Sequence, residues 1–253
     1  MNKLAAVIIT KNEEDKIAKC LDSLKGWVDE IIIVDDLSAD RTVEICRGYG
    51  AKVIASESKG NFDRQRNIGI ETAQAEWILQ MDADEIIPAE TSQKILDAIN
   101  KPNGSAGFKI RRRNFFMGRP ILHSGTYGYA LKIFKKEAAH YIGSSIHETL
   151  DIKGPVGEID ADINHYPFNS IYEVIARQNF YSEFESERHL KENSPPSARE
   201  IKHQLTIKPI TRFWKLYVRK KGYKDGMHGF IWCILNVAGH MIRWMKIWEK
   251  VEK

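Results

Sequence analysis

The chain of 253 residues holds 43% hydrophobic and 28% charged residues, a balance that excludes a disordered chain and is enough to bury one sizeable α/β core. Its three cysteines, Cys20, Cys46 and Cys233, are scattered and lack CxxC spacing, which argues against a disulfide framework or a zinc site and fits a reducing cytoplasm. The net charge of +4 conceals an asymmetry, because from Lys202 to the end there are 12 Lys/Arg against 3 acids, making the carboxyl end a basic module.

The opening MNKLAAVIIT flows into charged KNEED, unlike a secretory signal, and reads as a first strand over Leu4 to Thr10. Asn12 can cap the following helix, where Ile17, Cys20, Leu21 and Leu24 recur at helical spacing before Gly26. A second apolar strand, Glu30 to Val34, ends in Asp35 and Asp36, and Ser38 or Asp40 can cap a helix through Arg47. A third strand spans Ala51 to Ala55, and GNFDRQRN (60–67) leads into a helix to about Ala73. The fourth strand lies in EWILQMDADE (76–85), whose near-continuous apolar run suits burial on both faces. Strict alternation of strand and helix predicts a parallel sheet.

Beyond Asn100 that rhythm breaks. AGFKIRRRN (106–114) and YALKIF (129–134) predict an added ribbon of strands, followed by GSSIHETL with His147 and Glu148, and by DADINHYPF with His165. Ser170 to Lys191 predicts a helix, and the two prolines of NSPPS (193–197) mark a linker. Two basic helical stretches follow, Lys202 to Lys221 and Met227 to Lys250, with Trp214, Trp232, Trp244 and Trp248. On a helical wheel Asn236, His240, Arg243, Lys246 and Lys250 form one arc and apolar residues cover the rest. The apolar run is too short to span a bilayer, and the pattern matches an anchor lying on an anionic leaflet. The competing assignment is a helix packed on the chain's own core or on a partner.

Acids directly after buried strands are costly without a cation to meet them. Aspartates at alternate positions, Asp82 and Asp84, can turn their oxygens toward one divalent ion that also binds substrate phosphates. The plainer alternative is that Asp84 and Glu85 begin the helix containing Pro88. Arg64 and Arg66 carry planar forks suited to phosphate. No GxGxxG follows the first strand and no GxxxxGK[ST] occurs, which argues against a dinucleotide Rossmann site and a P-loop. A nucleotide-sugar fits the acids best. A metal-dependent nucleotidyltransferase is disfavoured because KNEEDK is no glycine-rich phosphate loop, and a non-catalytic membrane scaffold rests on the tail alone.

Together, VIITKNEE, VDDLSADRT, RQRNIGI and LQMDADE resemble the nucleotide-binding half of family 2 glycosyltransferases. The later LKIFKK, SIHETL, INHYPF and FWKLYVRKKGYKDGMHGF resemble the bacterial subgroup that includes lipopolysaccharide core glucosyltransferases. The resemblance covers nearly the whole chain. It implies a GT-A fold, a Rossmann-like mostly parallel α/β sheet flanked by helices, over residues 1–192 (nucleotide-binding half 1–100, acceptor half 101–192), with a helical extension over 198–253. It implies an inverting transfer from a nucleoside-diphosphate sugar, with UDP expected, to a cell-envelope glycan or glycolipid at the inner face of the cytoplasmic membrane. No nucleic-acid partner is expected.

By resemblance, Thr10, Asn12 and Glu13 line the nucleoside pocket, Asp36 accepts from the base, and Arg64, Gln65 and Asn67 lie along the donor. Asp82 and Asp84 form the DxD, with Asp82 nearer the ribose and Asp84 the more direct ligand of Mg²⁺ or Mn²⁺; His165 completes the metal shell or touches the diphosphate. Glu148 is the expected base. Leu37 stands where members often carry glycine, which leaves the pose of Asp36 open.

Overall fold

The computed structural model describes residues 2–142 and 150–253. It holds two compact units, one built from residues up to Arg112 together with Gly128–His165, the other from Arg113–Tyr127 with Tyr166–Lys253. The boundary expected between residues 192 and 198 falls inside the second unit.

In the first unit, β1 (Leu4–Thr10), β2 (Glu30–Asp35), β3 (Lys52–Ala55) and β4 (Trp77–Asp82) alternate with α1 (Ile17–Asp22), α2 (Thr42–Gly48) and α3 (Phe62–Thr72). Next come β5 (Glu85–Ile86), α4 (Ala89–Asn100), β6 (Gly107–Phe116), β7 (Arg119–Ile121), β8 (Gly128–Lys135), β9 (Ala139–Tyr141), β10 (Leu150–Ile152) and β11 (Val156–Phe168), of which β7 and the carboxyl ends of β6 and β11 count to the second unit. The main sheet runs β3-β2-β1-β4-β8-β6-β11-β5, β7 pairs with the far end of β6, and β9 and β10 form a separate ribbon. β1 pairs parallel with both β2 and β4, whereas β8 joins β4 antiparallel. The strand order therefore reverses at β1–β4, the place where an open α/β sheet leaves a crevice beyond its strand ends.

Period-2 alternation distributes β1 over both faces. Leu4, Ala6 and Ile8 join a core with Ile17, Leu21 and Ile95 from α1 and α4, while Ala5 and Val7 join another with Ile70 of α3. A Cβ added at Gly69 of α3 would collide with Val7 Cγ1 and lie 3.2 Å from Val34 Cγ2. Only hydrogen lets this helix lie so close to the sheet.

Two sequence expectations fail locally. Asn12 does not cap α1, which begins after Lys16 with no side-chain cap; it sits at φ 53° and its Oδ1 accepts from Ala39 N–H at 2.8 Å. A turn over residues 13–16 displaces the helix start, so Asn12 ties two loops together. Asp84 and Glu85 do not start a helix either, because Glu85 lies in β5, pairs with His165 of β11, and α4 begins only after Pro88.

The second unit holds α5 (Ile171–Glu192), α6 (Ala198–Trp214) and α7 (Gly226–Glu252), with a π-helical turn over Lys215–Arg219 and a 3-10 turn over Gly222–Asp225. Phe116, Ile121, Val174 and Leu235 form one core cluster, and Ile201, Trp244 and Ile247 another. The basic arc of α7 faces α5: Arg243 reaches Glu185 at 3.2 Å, Lys246 reaches Glu183 at 3.0 Å, and Lys250 reaches Glu187 at 3.6 Å. Those charges answer acids of the chain itself. Among the described residues no helix is long and apolar enough to cross a membrane.

Gly69→Ala is expected to lower the unfolding free energy by about 1–3 kcal/mol through overpacking against a stiff valine, read as a lower urea midpoint with unchanged slope.

Candidate active site

Strand register brings the sequence-predicted acids to one edge. Thr10 is opposite Asp35 and Ile9 opposite Asp82, so β1, β2 and β4 end side by side. Asp36 N–H donates to the Thr10 carbonyl at 2.8 Å, which joins the first two strand ends beyond the ladder. Thr10 is buried, and its Oγ1 has no hydrogen-bond partner among the described residues. An orphaned hydroxyl here is available to a ligand.

Asp36 is 4% exposed and held from outside its own turn. Ser58 N–H donates to Oδ1 at 2.6 Å, and the Ser58 hydroxyl (2.9 Å) and Lys11 Nζ (3.0 Å) donate to Oδ2. Burial alone would push this carboxyl up; the Ser58 N–H, the Lys11 ammonium and the Ser58 hydroxyl outweigh it and hold it below the ordinary range. A carboxylate offers about four lone-pair sites, so Oδ1 keeps room for one more donor. Leu37, next in the chain, takes φ 55° with its side chain 57% exposed.

At the end of β4 the acids meet fixed cations. Glu85 is fully buried; its Oε2 accepts from Asp82 N–H at 3.0 Å and from Lys132 Nζ at 2.8 Å. Lys132 Nζ also lies 3.4 Å from Asp82 Oδ2, Arg112 Nη1 3.6 Å from the same oxygen, and Arg66 Nη2 3.4 Å from Asp82 Oδ1. Burial opposes ionisation of Asp82, but Lys132, Arg66, Arg112 and His165 overcome it and hold its carboxyl well below the carboxylate range. Burial likewise opposes the charge of Lys132, and Asp82 and Glu85 reverse that and push the ammonium up.

Asp84 and His165 are both 8% exposed, and Asp84 Oδ1 lies 3.2 Å from His165 Nε2. The β5–β11 pairing sets this approach by placing His165 opposite Glu85. Ligand atoms on neighbouring positions of an octahedral ion with bonds of about 2.1 Å lie about 3 Å apart, so the pair fits one divalent cation. Among the described residues no cluster of three or more His, Cys, Asp or Glu is arranged to hold a metal. Two protein ligands suit an ion that completes its shell with water and substrate phosphates.

The other expected positions are distributed differently. Glu13 N–H donates to Thr42 Oγ1 at 2.8 Å and its carboxylate lies 3.6 Å from Lys16 Nζ. Gln65 is buried and donates to the Ser56 carbonyl. Asn67 brackets Tyr141, donating to its carbonyl at 2.8 Å and accepting from its N–H at 3.0 Å. Arg64 and Asn67 together line a groove with Asn61, Ile68, Glu71 and His140. Of the two arginines on α3, the one that reaches the strand-end acids is Arg66, buried with its guanidinium 5.4 Å from the Tyr141 ring. His147 and Glu148, with the expected base, lie outside the described residues. Sequence reasoning missed Lys132, Arg112 and Ser58; a lysine inside the apolar YALKIF was the available signal, since a buried lysine implies partners.

Lys132→Met removes the cation nearest the buried Glu85, leaving it only Arg112 at 3.7 Å, and is expected to cost about 3–5 kcal/mol of stability. Adding Glu85→Gln should recover about 1–3 kcal/mol of it, measured by urea unfolding of both variants. For Asp36 the folded pKa is depressed, so its stabilisation is complete above the unfolded carboxyl range near pH 4 and is lost as pH falls through the lower folded value. Asp36→Asn should therefore flatten the fall in urea midpoint below about pH 4 relative to the parent.

Comparison with known proteins bears on family and fold. The family model described as Glycosyl transferase family 2 matches residues 5–150. A Rickettsia felis protein named as an uncharacterized glycosyltransferase is 27% identical over 100% of this chain and 92% of its own. The lipopolysaccharide core biosynthesis glycosyltransferase LpsC of Rhizobium meliloti is 24% identical over 98% and 92%. Among solved structures, S. aureus TarS 1-349 in complex with UDP superposes with a TM-score of 0.52 at 17% identity, over 98% of this chain and 91% of that one. That likeness is one of fold, and the fold is GT-A. With its family match spanning more than half of its length, the chain belongs to glycosyltransferase family 2.

Proposed function

We propose that this glycosyltransferase moves a sugar, with inversion, from a UDP-linked donor to a hydroxyl of a cell-envelope glycan or glycolipid such as lipopolysaccharide core, at the inner face of the cytoplasmic membrane. The observation that carries the reading is the alignment of Thr10, Asp36, Asp82 and the Asp84–His165 pair along one edge of the parallel strands. The name of LpsC supports the acceptor class, and the UDP and UDP-GlcNAc complexes of TarS support the donor class.

In this reading Thr10, Asn12 and Glu13 line the nucleoside pocket, and the remaining lone pair of Asp36 accepts the uracil N–H. Asp82, kept ionised by Arg66, Lys132 and Arg112, accepts from a ribose hydroxyl. Arg64, Gln65 and Asn67 belong to the α3 wall along the donor, where Arg66 adds positive charge toward the diphosphate. Asp84 and His165 would hold Mg²⁺ or Mn²⁺, which when bound offsets charge on the leaving diphosphate. Glu148 takes the proton of the acceptor hydroxyl as its oxygen bonds to the anomeric carbon. The bond from that carbon to the diphosphate oxygen breaks on the opposite side, nucleoside diphosphate departs, and configuration inverts.

A thermal-shift screen of uridine, guanosine and thymidine diphosphate sugars with and without Mn²⁺ tests this reading. Uridine donors are expected to raise Tm most, with an Mn²⁺-dependent part that Asp84→Asn removes. Glu148→Gln should keep that shift and lose transfer by about 10²- to 10⁴-fold. No shift from any nucleotide sugar would overturn the donor assignment, and near-normal transfer by Glu148→Gln would remove that residue from the role.

A further inference from the structure

We propose that the tip of the α6–α7 hairpin, residues 207–234, is the surface that enters an anionic phospholipid bilayer. This deepens the membrane-surface part of the reading above and does not depend on the donor. It also relocates the contact, because the α7 arc that the sequence offered to a membrane is neutralised by Glu183, Glu185 and Glu187 of α5.

Two exposed apolar stripes carry the inference. Ile207, Ile210 and Trp214 of α6 are spaced i, i+3, i+7, and so are Met227, Phe230 and Ile234 of α7. That spacing puts each trio on one helical face. Such a face is normally turned into a core, yet Ile210 is 69% exposed, Trp214 59% and Met227 67%. The two stripes flank a shared aromatic cluster in which the Phe230 ring lies 5.9 Å from Phe213 and 5.6 Å from Tyr217, with Tyr223 6.2 Å from Tyr217. The helix ends that carry them are thereby held together.

Charge selects the occupant. Residues 202–230 hold eight Lys/Arg and one acid. That acid, Asp225, is engaged by His123 Nδ1 at 2.7 Å and the His123 N–H at 2.9 Å. Lys215, Arg219, Lys220, Lys221 and Lys224 are all exposed, and an acidic partner for them is not found among the described residues. A second copy of this chain would set like charge against like in a two-fold contact. Nucleic acid would answer the cations but gives no use for aliphatic Ile207, Ile210 and Ile234. An anionic leaflet answers both, apolar side chains entering the acyl boundary and lysines meeting headgroups. Among the exposed aromatics elsewhere in this unit, which include Tyr172 and Trp248, Phe180 and Phe184 lie on α5 with Glu183, Glu185 and Glu187, whose charges are matched by α7, so that face has no excess positive charge to draw it to the leaflet.

The test is co-sedimentation of the full chain, without donor, with vesicles of phosphatidylcholine alone or with about one third phosphatidylglycerol. Binding is expected only to the anionic vesicles and to weaken with salt. Ile210→Ser with Trp214→Ser should lower it about tenfold or more, as should Lys215→Gln with Lys224→Gln, while Phe180→Ser with Phe184→Ser leaves it unchanged. All three variants should keep the parent Tm and nucleotide-induced shift, which separates this proposal from the donor assignment. Absent vesicle binding, equal binding by both tip variants, a tip variant that instead dissociates a dimer, or loss of RNA binding in place of vesicle binding would overturn it.

Discussion

Everything at the candidate site depends on how the carboxylates at the end of a buried strand are met by positive charge. Asp82, Asp84 and Glu85 repel one another and lose hydration, a combination that is sustainable only against fixed positive charge. Arg66 from α3, Arg112 from β6 and Lys132 from β8 provide it. Their contributions are unequal. Lys132 touches Glu85 and Asp82 together and so ties the backbone turn to the carboxylate that the turn presents. The same field acts on Cys20, whose Sγ lies 3.8 Å from the Asp82 carbonyl. Burial and then Glu85, Asp84 and Asp82 push that thiol well up, so it remains protonated and inert as a nucleophile.

The parallel half was legible because strand burial and strand ends are local properties. Apolar runs over Leu4 to Thr10 and Trp77 to Met81 define strands without knowledge of their neighbours, and acids after such runs imply a counter-charge wherever it comes from. The source of that charge was not legible. Lys132 and Arg112 reach Asp82 across 50 and 30 residues through strand pairing, and a one-residue slip would turn either to the opposite face. For the same reason the setting of His165 was not legible, since its place in β11 opposite Glu85 follows from pairing with β5. Glu85 looked like a helix opener because acids and a nearby proline are common to helix starts; the two-residue strand that holds it is too short to leave a period.

In the second unit, complementary charge within the chain decides which basic residues remain available. Glu183, Glu185 and Glu187 of α5 lie within reach of Arg243, Lys246 and Lys250 of α7. Pairs this exposed each contribute little stability. Their effect is register, since a helical wheel shows that a basic arc exists but not that another helix matches it. What α5 does not reach stays uncompensated, which is why positive charge is concentrated in residues 202–224.

Leu37 gives the Asp36 end of the candidate site an unexpected tolerance. A leucine at positive φ carries a backbone cost of about 1 kcal/mol, and with most of its side chain in solvent it gains little burial in return. Were Asp36 positioned by that turn, every substitution at the next residue would move the carboxylate. Ser58 and Lys11 hold it from two other loops. The turn and the acid are therefore positioned separately: exchanging a bulky residue and glycine at position 37 leaves the hydrogen bonds that hold Asp36 in place.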